Sequence, residues 1–271
     1  MGRRYETISF LSDYGHADEF VGVVHSVIRS IAPHAAVVDL VHDLAPYDIR
    51  AASLALSRAV QYVAPGIVLA VVDPGVGTDR RAVAIEVGED GEGVLIGPDN
   101  GLLAPAVAMS GGAKRAVELA NVAYQLVSPG PTFAGRDVFA PAAAHLAAGL
   151  AITELGPEVD CYSLTPALIP LSHVDGDALV AEVLWIDRYG NCQLNVDPAD
   201  VEEFGELVSL RLPDDQVRTA HRVTTFAEVA TGRVGLVVDS YGLVAIVTDR
   251  SSAAEALGLH PGAGVRLSPA R

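Results

Sequence analysis

The chain has 271 residues, of which half are hydrophobic and 19% are charged, and its formal net charge is −16. This composition excludes disordered and fibrous proteins, and the length allows one large domain or two. Acidic residues are spread along the chain, so a nucleic-acid or anionic-membrane surface, which needs clustered Lys and Arg, is not expected. With two cysteines, no signal-peptide core and no apolar run of membrane length, we expect a cytoplasmic protein in a reducing compartment.

Apolar strands alternate with amphipathic helices in residues 1–170, which predicts an α/β domain with a mainly parallel sheet. The most apolar run in the first half of the chain, 66–72, is typical of a strand buried on both faces. Helices are predicted from Phe20, from a cap at Asp48, from Leu102 and over 138–148. Strands are predicted over 7–11, 36–41, 66–72, 81–87, 94–96 and 116–119. Of these, 81–87 and 94–96 are predicted to pair across a turn at 89–91.

Beyond residue 170 the pattern changes to short strands separated by turns instead of helices. This predicts a second domain, residues 171–271, of antiparallel β type, as a small barrel or a sandwich. The segments 188–191 and 239–242 each predict a hairpin turn. The strands are predicted over 180–186, 193–196, 207–212, 223–229, 234–238 and 243–247.

Acidic residues lie at or just beyond the ends of the predicted strands in the first domain. They are Asp13, Asp43, Asp73 and Asp99, with His42 beside the second of them. In open α/β sheets, ligands bind beyond the carboxyl ends of the strands. Asp73 is followed by a tight turn and by Arg80 and Arg81, which can fold back on its carboxylate. Three interpretations stay open: a metal site, which the arginines disfavour; a site for a polar organic ligand; and ordinary turn and capping roles.

Five separated stretches carry a resemblance to a known family. They are Phe10-Leu11-Ser12-Asp13-Tyr14-Gly15, Val71-Val72-Asp73-Pro74-Gly75-Val76-Gly77-Thr78, Gly97-Pro98-Asp99-Asn100-Gly101-Leu102-Leu103, Pro131-Thr132-Phe133-Ala134-Gly135-Arg136-Asp137 and Asp187-Arg188-Tyr189-Gly190-Asn191. In this order, and over nearly the full chain, they are similar to the S-adenosylmethionine hydrolases (adenosine-forming), which are related to the fluorinase and chlorinase enzymes. The resemblance implies an N-terminal α/β domain and a C-terminal β-barrel. It also implies a homotrimer with active sites between the N-terminal domain of one subunit and the C-terminal domain of the next.

The same resemblance implies S-adenosyl-L-methionine as the small-molecule substrate, with neither a metal nor a cofactor. Substrate-binding positions of the family are matched by Asp13 (ribose hydroxyls), Tyr47, Phe133 and Tyr189 (aromatic contacts to the nucleoside), Asn191 (adenine), and Asp187 and Ser240 (methionine end). The residue after Ser240 is Tyr241, where the halogenating relatives tend to carry Arg.

The implied reaction is an SN2 displacement at the ribose C5′ by water or hydroxide, in which neutral methionine leaves from the sulfonium. Asp73 and Arg80 match two members of an Asp, Arg and His set that is proposed to orient and deprotonate the water. Because Arg81 is adjacent, either arginine can be the matching one. The halide-using relatives typically carry Tyr at the Asp position and lack the Arg, so the presence of Asp73 and Arg80 favours water over halide.

Position 134 departs from the family pattern, because Ala134 stands where the resemblance implies the catalytic His. An introduced substitution, which we favour, and a natural loss or rerouting of the step both account for it. Either way, the chain is expected to bind the substrate or adenosine and to hydrolyse it slowly, since a positioned proton-transfer group is commonly worth about 10²- to 10⁴-fold in rate. The rival interpretations are a non-catalytic nucleoside-binding protein, a halide-using adenosyl transferase and, last, a metal-dependent hydrolase.

Overall fold

The computed structural model describes residues 4–89 and 92–270. The chain divides into two compact units, Met1–Leu168 and Ile169–Arg271, and each has a hydrophobic core of its own. In the described part of the chain, no helix is both long enough and apolar enough to cross a membrane.

The first unit is a sheet covered by helices, as the alternating pattern predicts. Its strands are β1 (Thr7–Ser12), β2 (Ala36–Val41), β3 (Ile67–Val71), β4 (Ala82–Val87), β5 (Gly93–Pro98), β6 (Ala113–Glu118) and β7 (Glu158–Val159). Its helices are α1 (Phe20–Ile31), α2 (Ile49–Val60), α3 (Ala104–Met109) and α4 (Ala140–Ala147), with a π-helical turn at Gly135–Phe139 and 3₁₀ turns at Val122–Tyr124, Ile152–Leu155 and Cys161–Ser163.

The strand order is β2-β1-β3-β5-β4-β6-β7. The first four strands in this order are parallel to one another, and β4, β6 and β7 add to the sheet in antiparallel fashion. The mainly parallel sheet is therefore confirmed, as is the antiparallel pairing predicted for 81–87 with 94–96. Of the predicted turn at 89–91, residues 90 and 91 lie outside the described residues.

Strand β3 lies between β1 and β5 in this sheet, and all five of its residues are buried. Ile67, Leu69 and Val71 join the core that contains α1 and α4, whereas Val68 and Ala70 join the core that contains α2 and α3. Such alternation places a helix layer on each face of the sheet. Because β1 and β3 are parallel neighbours, with Ser12 opposite Val71, the residues that follow both strands emerge at the same edge of the sheet.

Gly97 in β5 allows the close approach of β3 to β5. A Cβ atom on Gly97 would lie 2.3 Å from the carbonyl oxygen of Ala70, which is backbone and cannot rotate away. We therefore expect Gly97→Ala to lower the free energy of unfolding by about 1–3 kcal/mol, measured by urea denaturation. The control is Gly22→Ala in the exposed face of α1, where no atom lies within 4 Å and Ala is the better helix former. Equal destabilisation by both substitutions would contradict the steric explanation.

The second unit is a closed β-barrel. Its strands are β8 (His173–Asp175), β9 (Ala178–Ile186), β10 (Cys192–Leu194), β11 (Leu207–Arg211), β12 (Val217–Arg222), β13 (Val234–Val238), β14 (Val244–Thr248) and β15 (Gly264–Pro269), accompanied by helix α5 (Ala253–Leu257) and 3₁₀ turns at Pro198–Phe204 and Phe226–Glu228. They follow the order β10-β14-β13-β12-β11-β15-β9-β8, and an additional β9–β10 pairing closes seven of them into a ring. Among the described strands, β12 and β13 are parallel and the other pairs are antiparallel. The predicted barrel is confirmed.

One predicted strand of this unit, 223–229, is wrong. The structure places a strand before it, at Val217–Arg222, and a 3₁₀ turn within it, at Phe226–Glu228. The carboxylate of Glu228 accepts hydrogen bonds from the backbone N–H of Thr224 and the hydroxyl of Thr225, which closes the segment into a turn.

Candidate active site

Asp13 follows β1 and binds the backbone of a second predicted site residue. The N–H of Tyr47 donates to Oδ2 of Asp13 at 2.8 Å, and Tyr47 has a φ of +68°, in the left-handed region that few residues other than Gly adopt. The ring of Tyr47 is exposed. A carboxylate has about four lone-pair sites, so Asp13 retains acceptors for further donors such as a pair of ribose hydroxyls.

Beneath Asp13 lies a chain of polar side chains that links β1 to β2. Ser12 Oγ lies 2.7 Å from Nδ1 of His42, whose Nε2 lies 2.9 Å from Oδ1 of Asp39, and His25 bonds the same oxygen at 2.8 Å. Burial opposes ionisation of Asp39, but the hydrogen bonds from the two histidines outweigh it and lower its pKa. Ser12 is buried and its Oγ accepts from the N–H of Tyr14. These hydrogen-bonded side chains therefore fix the loop that follows β1, and the Ser12 hydroxyl is not presented as a nucleophile. Of these side chains, the sequence pattern singled out His42 alone.

Asp73 and Arg80 form a bidentate ion pair at the end of β3. Arg80 Nε lies 2.8 Å from Oδ1 and Nη2 lies 2.5 Å from Oδ2, while the Asp73 side chain is only 7% exposed. The guanidinium also lies over the Phe139 ring, 5.3 Å from its centroid. Each carboxylate oxygen keeps a lone pair, and Arg80 keeps three of its five N–H groups for other acceptors. The pair can therefore bind a small polar molecule such as water.

The adjacent arginine binds a different carboxylate. Arg81 donates through Nε and Nη2 to Oδ2 of Asp99 at 2.9 and 2.6 Å, and it also donates to Ser163. Of the two candidates that the sequence left open, Arg80 is thus the one that contacts Asp73.

The turn between Asp73 and Arg80 is fixed by backbone bonds and by two glycines. The N–H of Thr78 donates to the carbonyl of Gly75 at 3.1 Å, and Gly77 has a φ of +78°. A Cβ on Gly77 would lie 3.0 Å from the carbonyl oxygen of Pro131, so this turn packs on the start of the 131–137 stretch.

Asn100 positions the end of β3 from the neighbouring strand. Its Nδ2 donates to the carbonyl of Val72 at 2.9 Å, and its Oδ1 accepts from the N–H of Leu102. From the sequence, Asn100 belongs to one of the matched stretches but has no predicted role. An Asn in a turn between two glycines was the available signal.

Phe133 and Ala134 lead into the π-helical turn at Gly135–Phe139, a conformation that is frequent at functional sites. The Phe133 ring contacts those of Phe20 and Tyr14, with centroids at 4.9 and 5.6 Å. Ala134 is half-buried and packs against the core of the first unit. The segment that carries Phe133 and Ala134 contacts the Asp73 turn on either side of them, because Pro131 packs against Gly77 and Phe139 lies under Arg80.

The predicted site residues of the second unit line a cavity of about 540 Å³ at one end of the barrel. The lining includes Trp185, Asp187, Tyr189, Asn191, Ser240 and Tyr241. Oδ1 of Asp187 accepts from the N–H groups of Tyr189 and Asn191, and Oδ2 accepts from the side-chain amide of Asn191. These bonds orient the Asn191 amide and leave its carbonyl oxygen as an acceptor.

The turn that carries Ser240 repeats this bonding. Oδ1 of Asp239 accepts from the N–H groups of Tyr241 and Leu243, and its Oδ2 accepts from Gln193. Both predicted hairpin turns are therefore confirmed, and both have the same internal structure. This repeat is not among the predictions from the sequence, although Asp-Arg-Tyr-Gly and Asp-Ser-Tyr-Gly differ at one position.

Within residues 4–89 and 92–270, no group of three or more His, Cys, Asp or Glu side chains is placed to hold a metal ion. The chain's two cysteines are free thiols.

Comparison with known proteins gives matches along most of the chain. Relatives named (R)-S-adenosyl-L-methionine hydrolase occur in Thermus thermophilus, at 45% identity over 96% of this chain and 98% of the relative, and in Salinispora tropica, at 42% identity over 96% and 97%. A protein from an Actinoplanes species named fluorinase is 28% identical over 97% of both chains. A solved structure of an uncharacterised conserved protein from Thermotoga maritima superimposes with a TM-score of 0.88 at 31% identity, covering 96% of this chain and 99% of the other.

Two domain families also match, in the order of the two units. The SAM hydroxide adenosyltransferase N-terminal domain matches residues 8–156, and the SAM hydroxide adenosyltransferase C-terminal domain matches residues 181–266. The matched regions contain the Asp73–Arg80 pair and both Asp-x-Tyr-Gly turns. The chain therefore belongs to the SAM hydroxide adenosyltransferase family.

Proposed function

We propose that this chain hydrolyses S-adenosyl-L-methionine to adenosine and L-methionine. The observation that carries the proposal is the bidentate Asp73–Arg80 pair, a carboxylate that is almost buried yet retains lone pairs beside free N–H groups. The relatives named (R)-S-adenosyl-L-methionine hydrolase support it, and their names point to the R configuration at sulfur.

The proposed reaction is an SN2 displacement at the ribose C5′. A water oxygen forms the new bond to C5′ as the C5′–S bond breaks, and the bonding pair leaves with sulfur as neutral methionine. Asp73 accepts a proton from the water, and Arg80 holds the carboxylate in place. We propose that neither a metal nor a cofactor takes part, because the sulfonium is already an activated leaving group.

We propose the substrate contacts that the resemblance implies. Asp13 binds the ribose hydroxyls, and its strand-end position beside Tyr47 supports this role. Asn191, oriented by Asp187, binds adenine with its free carbonyl oxygen. The remaining contacts are Tyr47, Phe133 and Tyr189 to the nucleoside, and Asp187 and Ser240 to the methionine end.

We also propose a cytoplasmic homotrimer in which each active site combines the N-terminal domain of one subunit with the C-terminal domain of the next. Two free thiols agree with a reducing compartment. Sedimentation equilibrium at micromolar concentration should give three times the mass of the chain, and a monomer that turns over normally would refute the shared site.

The first experiment is hydrolysis in ¹⁸O water, in halide-free buffer treated with a chelator. Adenosine and methionine should form in equal amounts, with ¹⁸O in the 5′-hydroxyl of adenosine and none in methionine. The R diastereomer should react faster than the S diastereomer. Loss of activity on chelation would instead favour a metal-dependent hydrolase, and formation of 5′-halo-adenosine on addition of chloride or fluoride would favour a halide-using transferase.

The alternative function is binding of a nucleoside without catalysis, which Ala134 favours. Hydrolysis and binding without catalysis are distinguished by measuring adenosine binding and turnover of S-adenosyl-L-methionine on the same preparation. Tight adenosine binding with no product from either diastereomer would establish the alternative.

Position 134 gives a further prediction. Ala134→His should hydrolyse S-adenosyl-L-methionine faster than the parent, because it restores a proton-transfer group to the motif. The comparison is made by initial rates at saturating substrate. Equal rates for the two proteins would contradict the prediction.

A further inference from the structure

Tyr14 has its ring fixed by three other aromatic rings. Its centroid lies 5.6 Å from those of both Phe20 and Phe133, and 6.5 Å from that of Phe10. The N–H of Tyr14 donates to Ser12, within the polar chain beneath Asp13. With both ring and backbone held, the hydroxyl points to one fixed place.

That place is the backbone immediately after Ala134. A Cβ atom on Gly135 would lie 2.1 Å from Oη of Tyr14, so the hydroxyl rests directly on Gly135, and the backbone of Gly135 forms a hydrogen bond with it. A tyrosine from the loop after β1 thus brings a hydroxyl to the stretch where the family pattern has His.

Tyr14 follows β1 as Asp73 follows β3, and Ser12 pairs with Val71 in these parallel strands, so Tyr14 and Asp73 emerge at the same edge of the sheet. Burial, and then the charges of Asp13 and Asp73, raise the pKa of Tyr14, while Arg80 and the bond to Gly135 act in the opposite direction. The net effect is a rise, so the group remains a protonated phenol at neutral pH. It can accept and donate hydrogen bonds but is not a base.

We propose that the Tyr14 hydroxyl positions the attacking water beside Asp73, taking over part of the role that the resemblance assigns to a His at position 134. This inference rests on the proposed function. The water donates one hydrogen bond to Asp73 and one to Oη of Tyr14, which leaves an oxygen lone pair directed at C5′. As the C5′–O bond forms and the C5′–S bond breaks, the proton passes to Asp73 and Tyr14 keeps its own.

The primary test is Tyr14→Phe, which keeps the ring contacts and removes only the hydroxyl. We expect kcat to fall about 10- to 100-fold, with KM and the Kd for adenosine changed less than about threefold. The matched control is Tyr124→Phe. That ring packs on the same core and contacts His145. Its kcat should stay within about twofold of the parent. An unchanged kcat in Tyr14→Phe would overturn the inference.

A double-substitution cycle with Ala134→His gives a readout that a structural role would not move. If Tyr14 already supplies part of the missing interaction, Ala134→His should raise kcat about tenfold in the parent and about 100-fold in the Tyr14→Phe background. Both His variants should gain a pH inflection at about 6.5, the usual His pKa, which the parent lacks. Equal gains in both backgrounds would overturn the inference. If the parent forms no adenosine, both the proposed function and the role of Tyr14 are refuted. If Tyr14→Phe turns over as fast as the parent, only the role of Tyr14 is refuted.

Discussion

Asp73→Asn is expected to lower kcat for adenosine formation by about 10³-fold or more, since it removes the group that accepts the proton of the attacking water. Asn has the shape of Asp, so the cavity is preserved while the basic oxygen is lost. Single-turnover measurements with excess enzyme isolate the chemical step. Adenosine binding should remain within about fivefold of the parent, because the proposed nucleoside contacts are made by other residues.

The chain provides a matched control for this substitution one strand away. Asp99 is as buried as Asp73, at 5% and 7% side-chain exposure, and is held by Arg81 as Asp73 is held by Arg80. Asp99→Asn should destabilise the fold as much as Asp73→Asn, by about 1–3 kcal/mol, because each leaves an arginine without its counter-charge. Only Asp73→Asn should lose turnover. A similar loss in Asp99→Asn would mean that the effect is one of loop stability.

Asp13→Ala is expected to reduce kcat/KM by about 10²- to 10⁴-fold, through binding. Two hydrogen bonds from ribose hydroxyls to a carboxylate are worth about 1.5–3 kcal/mol each. The substitution also removes the acceptor for the N–H of Tyr47. Calorimetric titration with adenosine gives the loss of affinity directly.

A ligand comparison separates the ribose contact from general damage to the loop. The parent should bind adenosine more tightly than 2′,3′-dideoxyadenosine, and Asp13→Ala should bind the two with similar affinity. If Asp13→Ala still distinguished them as the parent does, the carboxylate would not be the ribose contact.

Much of the fold could be predicted because the burial pattern is local. Strand β3 reads as a buried apolar run, and the predicted cap at Asp48 accepts from the N–H of Ala51 at 2.8 Å. Strand β12 was missed because it lies at a polar part of the barrel, where Ala220 is its one fully buried residue among those described. Whether such a segment pairs depends on its neighbours in the barrel, which are distant in sequence.

The sequence could predict which residues of the candidate site lie close together, but not which of their atoms form hydrogen bonds. Carboxylates at the ends of parallel strands must meet at one edge. Whether Arg80 or Arg81 reaches Asp73 depends on the turn geometry and on Asp99, which arrives from another strand. The contact between Tyr14 and Gly135 likewise joins segments far apart in sequence, and no local sequence pattern predicts it.

In each of the two similar hairpins of the barrel, some residues hold the turn in place and others do not. In each, an Asp carboxylate binds two N–H groups of its own turn, and a glycine adopts positive φ, +85° at Gly190 and +83° at Gly242. The side chains at positions 188 and 240 take no part in those bonds, although both border the cavity. Exchange at these positions can therefore diversify ligand preference while the hairpins persist, so that divergence in specificity within such a barrel need not compromise its folding.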